Sequence, residues 1–148
     1  MNIEIKPLKQ SEEARACAEF MASSEPWLTL GRTLDDCLKL LNEPAKEIYV
    51  VRCDKGLAGF VVLQLHGPFT GYIQTIGVFP EWRNRGIGTR LINFAEERIF
   101  RESKNVFLCV SSFNTQAQQL YARLGYERVG ELKDYLVRGH SEILMRKT

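Results

Sequence analysis

The segment VFPEWRNRGIGTRL, residues 78–91, constrains this chain more than any other. An apolar, strand-like stretch runs into a proline turn and emerges as the start of an amphipathic helix. Glycines at 86 and 88 flank Ile87, and arginines stand at 83, 85 and 90. A helix start that exposes successive backbone N–H groups, with no side chains in the way, is a seat for an anion. Cations beside it favour a phosphate-bearing ligand. A blander reading competes on the local pattern: two glycines needed only for a tight turn, with the arginines on a solvated face. Gly86-Ile87-Gly88 is half of a dinucleotide fingerprint, but Leu91 stands where the third glycine belongs. No Gly-Lys-Ser/Thr follows either, so neither a Rossmann unit nor a nucleotide P-loop fits.

The flanking segments read as one α+β domain spanning residues 1–148, a length sufficient for a substantial core. Ile3 and Ile5 mark a short first strand. Residues 11–23 form a helix with Ser11 as its expected N-cap and Ala14, Cys17, Ala18 and Met21 on its apolar stripe. EPWLTLG interrupts it, and residues 32–41 form a second helix with Leu34, Cys37, Leu38 and Leu41 inward. Two β-rich segments, 47–53 and 57–67, are joined by Asp54-Lys55-Gly56 as an antiparallel hairpin. A strand over 70–78 leads into the glycine turn. The helix from Gly86 to about Phe100 places Ile87, Leu91, Phe94, Ala95 and Ile99 toward the core. The apolar strand 105–111 follows, so strands 70–78 and 105–111 are expected to lie parallel and adjacent through a crossover. A helix over 115–124, stopped by Gly125, and two strands in YERVGEL and SEILMRK complete a mixed, mainly antiparallel sheet of six or seven strands.

Bulk properties narrow the function. A net charge of +2 is too small to argue for nucleic acid or a membrane surface. The charged opening MNIEIKPLKQSEEAR lacks a signal peptide's apolar core, and no stretch approaches the length of a membrane span. Cysteines 17, 37, 53 and 109 form no CxxC pair and read as reduced, mostly buried groups, which points to the cytoplasm. No His/Cys/carboxylate spacing suits a metal.

Two blocks carry a family resemblance. Arg83-x-x-Gly86-x-Gly88 directly after a strand, preceded by Ile76-Gly77-Val78-Phe79-Pro80-Glu81, is one. Asn114-x-x-Ala117…Leu120-Tyr121-x-x-x-Gly125-Tyr126 is the other. Together with the element order they strongly resemble the GCN5-related N-acetyltransferase (GNAT) superfamily. The resemblance implies the acyl-CoA N-acyltransferase fold, with about four helices flanking the sheet, and acetyl-CoA as cosubstrate without a metal. It implies that the pyrophosphate lies on the backbone N–H groups of Arg85, Gly86, Ile87, Gly88, Thr89 and Arg90. Arg83, Arg85 and Arg90 then supplement phosphate binding. Pantetheine runs along strand 70–78, bonding to main chain near Ile76 and Val78, and an N–H of Gly77 or Val78 polarises the thioester carbonyl. Tyr121 matches the family's proton donor to the departing thiolate, and Asn114 its contact to the pantetheine arm. From the residues alone, Asn114 also reads as a helix cap and Tyr121 as a core aromatic.

The acceptor side is less constrained. Family members often carry a glutamate on the strand before the cofactor loop, but here that strand offers Gln74 and Thr75, which are not bases. Gln74 is suited to orienting a water or substrate. Glu25, in the connection between the first two helices beside Trp27, is the favoured base candidate. His66, Asp134, His140 and Glu142 remain open, as does a water chain. The expected reaction is direct acetyl transfer to a primary amine, a small molecule rather than a protein N-terminus or lysine, because Trp27, Leu28 and Leu30 narrow the pocket. A peptide acceptor and a homodimer stay open. The alternative from another class is a non-catalytic acyl-CoA-binding module.

Overall fold

The computed structural model describes residues 2–54 and 56–148. One seven-stranded sheet organises them. Its strands are β1 (Ile3–Pro7), β2 (Glu47–Cys53), β3 (Gly56–Gln64), β4 (Tyr72–Val78), β5 (Val106–Ser111), β6 (Glu127–Leu132) and β7 (Glu142–Lys147). The order across the sheet is β1-β2-β3-β4-β5-β7-β6, antiparallel everywhere except the β4–β5 pair. Helices α1 (Ser11–Ala22), α2 (Leu34–Leu41), α3 (Ile87–Phe100) and α4 (Thr115–Arg123) cover it. The expected β2–β3 hairpin is present, although Lys55 of its turn lies outside the described residues.

The two faces have separate cores. On one, α1 and α2 lay Ala14, Cys17, Ala18, Met21, Cys37 and Leu41 against Val50, Phe60 and Val62. On the other, α3 buries Ile87, Leu91, Ile92, Ala95 and Ile99, and α4 buries Tyr121. Each large aliphatic side chain so buried contributes roughly 1.5–3 kcal/mol, which is why these stripes fix which face each helix takes. The α3 stripe is rotated from the expected one. Phe94 is only half-buried, edge-on to Tyr49, while Ile92 and Glu96 are inward. The buried Glu96 is satisfied by the Tyr126 hydroxyl at 2.8 Å and the Lys147 ammonium at 3.0 Å, tying α3 to β7. Ser11 is the first helical residue of α1 rather than its cap. Gln10 holds the cap position without a side-chain bond, and Glu12 and Glu13 face the helix dipole instead. The capping box belongs to α2, where Thr33 and Asp36 exchange side-chain and backbone bonds.

The β4–β5 pair is closed at one end only. At the closed end, the Phe107 N–H bonds to the carbonyl of Gly71, whose φ is +79°. A Cβ at 71 would stand 2.5 Å from the Asn105 carbonyl, so only glycine allows this approach. Paired positions extend only through Tyr72–Phe107 and Ile73–Leu108. Then β4 takes one extra residue: Val62 faces Thr75 while Leu63 faces Ile73, leaving Gln74 as the bulge. A bulge bends its strand and sharpens its twist. Beyond it, β4 and β5 diverge and open the sheet.

Candidate active site

The opening between β4 and β5 is a cavity of about 470 Å³ that reaches both faces of the sheet. Gln74, Thr75 and Ile76 of β4 form one wall, and Leu108 to Ser111 of β5 the other. On the α4 side it meets Asn114, Ala117 and Tyr121; on the α1–α2 side it meets Trp27, Leu30, Arg32 and Asp36. Tyr135, Leu136 and Glu142 complete it from the β6–β7 hairpin.

The bulge also decides which backbone groups face this gap. The Phe79 N–H bonds across to the Ala58 carbonyl on β3. By strand alternation Gly77 likewise turns its polar groups to β3, whereas Ile76 and Val78 turn theirs toward the gap. The Val78 carbonyl is occupied by Arg83 Nε at 3.2 Å, so of the two expected donors, Gly77 and Val78, the free N–H is that of Val78. Gly77 is a glycine for packing. A Cβ there would lie 2.6 Å from Phe60 and 3.1 Å from Phe20.

A single 3-10 turn, Pro80–Trp82, connects β4 to the start of α3. Gly86 caps α3 in the left-handed region at φ +78°, and the first intrahelical bond runs from the Arg90 N–H to its carbonyl. The N–H groups of Ile87, Gly88 and Thr89 therefore leave the helix start without intrahelical partners. Internal packing does not demand a glycine at 88, where an added Cβ would meet only Val78 Cγ2 at 3.8 Å. The space above the helix start is open. Of the three arginines, Arg83 braces the turn, Arg85 lies over the Trp82 ring at 5.2 Å, and Arg90 is exposed.

At the far end of the cavity, Asn114 is the N-cap of α4, its Oδ1 accepting the Ala117 N–H at 3.3 Å. The cap and the cavity position coincide. Tyr121 is 7 % exposed, and burial pushes its phenol up to about 12. Among the described residues nothing hydrogen-bonds its hydroxyl. Gln74 Oε1 is a buried acceptor without a donor, which ordinarily costs about 1–3 kcal/mol.

The base candidates separate clearly. Glu25 is exposed, outside the cavity lining, and its two carboxylate oxygens accept the Thr29 N–H at 2.9 Å and the Thr29 hydroxyl at 2.8 Å. It caps the turn after the cis Glu25–Pro26 bond, and the Glu-x-x-x-Thr spacing was the signal for that. His66 is exposed beside Glu102, Asp134 accepts the Gly139 N–H within its own loop, and the His140 ring packs edge-on to Phe113. Glu142, one of the candidates left open, is 6 % exposed and faces the cavity. Burial holds its carboxyl above the usual carboxylate range, partly offset by a 2.6 Å bond from Ser111 Oγ and by the charge of Arg32. Among the described residues no cluster of His, Cys, Asp or Glu is built to hold a metal ion, and no helix is long and apolar enough to cross a membrane.

Known proteins match this layout. The acetyltransferase (GNAT) family model covers residues 11–126. The N-alpha-acetyltransferase RimI of Mycobacterium tuberculosis is 31% identical over 143 residues, 91% of this chain and 86% of that one. An S-(2-succino)cysteine N-acetyltransferase from Bacillus subtilis is 31% identical over 123 residues, 77% and 72% of the two chains. Among solved structures, the spermidine N-acetyltransferase of Vibrio cholerae in complex with CoA and spermine superposes with a TM-score of 0.76 at 21% identity, covering 98% of this chain and 94% of that one. The strand order, the split at β4–β5 and the sequence matches converge: the chain belongs to the GNAT family of acetyltransferases and is an enzyme that uses acetyl-CoA as its cosubstrate.

Proposed function

We propose that this chain, acting as a single domain over residues 1–148, transfers the acetyl group directly from acetyl-CoA to a small primary amine inside the β4–β5 cavity. The observation that carries the reading is the cavity itself. It passes through the sheet, so the two substrates can approach from opposite faces and meet without an acyl-enzyme. Its roughly 470 Å³ lies within the small-molecule range. Trp27 and Leu30 from the α1–α2 connection and Tyr135 and Leu136 from the β6–β7 loop border it. Such walls favour a slim amine over an extended peptide.

When bound, acetyl-CoA supplies an activated thioester carbonyl. The open N–H groups of Ile87, Gly88 and Thr89, with Gly86 and the charges of Arg85 and Arg90, suit its pyrophosphate. The main-chain groups of Ile76 and the amide of Asn114 suit the pantetheine arm, and the Val78 N–H is the donor for the developing oxyanion. Tyr121 holds a proton at its hydroxyl for hydrogen bonding to the departing thiolate. Cys109 lines the cavity, but burial raises its thiol above the ordinary range, which supports direct transfer over a cysteine-bound acetyl intermediate. Four unpaired cysteines, three of them buried, support a reducing, cytoplasmic setting.

The acceptor class is tested by thiol release from acetyl-CoA with spermidine, S-(2-succino)cysteine and a peptide bearing a free N-terminus. At least one small amine is expected to exceed the peptide about tenfold in kcat/KM. A peptide that outperforms both small amines would overturn the small-molecule reading.

A further inference from the structure

The cavity contains an acceptor-rich corner that acetyl-CoA binding does not account for. Glu142 opens β7 directly opposite Ser111, the last residue of β5, so their side chains share one face of an antiparallel pair. That is the α1–α2 face. Ile143 and Met145 point the other way into the α3–α4 core, as do Leu108 and Val110. Ser111 donates its hydroxyl proton to Glu142 Oε2 at 2.6 Å, and among the described residues no second donor engages the carboxylate. Gln74 on the opposite wall offers a buried Oε1 that also lacks a donor. Two acceptors with capacity to spare, the singly bonded Glu142 carboxylate and the unpartnered Gln74 Oε1, line a single cavity. Their complement is a group with several donors, no acceptor and a positive charge, which describes a primary ammonium.

We infer that Glu142 is the catalytic residue that receives the acceptor's ammonium and removes its proton, with Ser111 as its positioning residue and Gln74 as a second acceptor to the same nitrogen. The inference rests on the acetyl-transfer reading and extends it to a named base. Glu142 lies in the C-terminal β6–β7 hairpin, beyond residue 126 where the family match ends.

An ammonium N–H bond breaks and an O–H bond forms on Glu142, leaving the nitrogen lone pair free. As the C–N bond forms and the C–S bond breaks, the nitrogen's second proton goes to the sulfur. Glu142 then releases its proton to solvent. Burial favours this cycle, because a carboxylate of raised pKa is the better base for an amine. The charged and titratable groups around Glu142 are Arg32 before α2, Tyr72 on β4, Cys109 on β5 and, nearer Tyr72, Tyr135 of the β6–β7 loop. Burial keeps Tyr72 and Cys109 protonated through the neutral range, which leaves Glu142, of these three, as the carboxylate able to take the amine's proton.

The test compares wild type, Glu142→Gln and Ser111→Ala, using whichever of the three acceptors above wild type acetylates best. Coenzyme A affinity is measured alongside by calorimetry. Glu142→Gln is expected to lose at least about 100-fold in kcat/KM for the amine at pH 7, with coenzyme A affinity within about twofold. The loss shrinks as pH rises and solvent supplies the neutral amine. Ser111→Ala removes a bond that lowers the Glu142 pKa, so the acidic limb of its kcat/KM profile moves to higher pH. An amine kcat/KM within about threefold of wild type in Glu142→Gln, or a loss that is the same at every pH, overturns the inference. So does a Ser111→Ala profile whose acidic limb stays in place, a readout that holds even if Glu142→Gln folds poorly. The identity of the best acceptor judges the proposed substrate class separately, since these ratios are read on any acceptor.

Discussion

Gly88→Glu is expected to weaken coenzyme A binding by at least about 100-fold while leaving the fold as stable as wild type or more so. The two effects have different origins. Position 88 is the second residue of α3, where a carboxylate complements the helix dipole and where replacing glycine gains roughly 0.5–1 kcal/mol of helix propensity. The nearest side-chain atom to a new Cβ is 3.8 Å away, so nothing in the protein resists it. A ligand resists it instead. The added side chain fills the space above the N–H groups of residues 87–89, and its charge repels a pyrophosphate. Charge-assisted hydrogen bonds of this kind contribute about 1.5–3 kcal/mol each. Losing two of them amounts to about 3–6 kcal/mol, or two to four decades in Kd. Calorimetric titration with coenzyme A beside urea unfolding checks both halves. Unchanged affinity in a folded Gly88→Glu variant would remove the α3 seat from the account.

Tyr121→Phe is expected to lower kcat by about 100-fold with coenzyme A affinity unchanged. Nothing among the described residues hydrogen-bonds the hydroxyl, so its removal leaves no orphaned partner and the ring keeps its edge-on contact with Tyr126. The raised pKa refines the role. A phenol held at about 12 does not hand its proton outright to a thiolate whose thiol has an ordinary pKa of about 8.5. It donates a hydrogen bond as charge develops on sulfur, while the proton that finally reaches sulfur comes from the attacking nitrogen. The phenol therefore stays protonated across the working range and puts no limb on the pH profile below about 12. Steady-state turnover with saturating substrates makes the comparison, and a Tyr121→Phe enzyme with wild-type kcat would rule out a role for the hydroxyl.

The helix starts proposed to hold the cofactor were legible in the sequence because their determinants are local. Gly86 and Gly88 stand at a helix start, Asn114 at another, and Tyr121 two turns along on an amphipathic stripe. Strand–helix–strand order gave the parallel β4–β5 pair. The proposed acceptor side was not legible, because its determinants are tertiary. Strict alternation over TGYIQTIGV puts Gln74, Ile76 and Val78 on one face, whereas the bulge returns Ile76 to the face of Ile73 and sets Gln74 apart. The three-residue spacing of Ile73 and Ile76 was the trace of it. Glu142 follows Ser141 at a strand end and carries no local sign of burial; only its pairing with Ser111 encloses it. Glu25 misled for the converse reason, since a carboxylate beside a tryptophan in a pocket-lining connection was already committed to Thr29 four residues on.

The central claim is that acetyl-CoA and the amine occupy opposite ends of one cavity at the same time. Initial velocities measured over a grid of both concentrations test it most directly. Double-reciprocal lines that intersect, reporting a ternary complex, are the expected result. Parallel lines, with acetyl-enzyme recovered at Cys109 after mixing with acetyl-CoA alone, would contradict it.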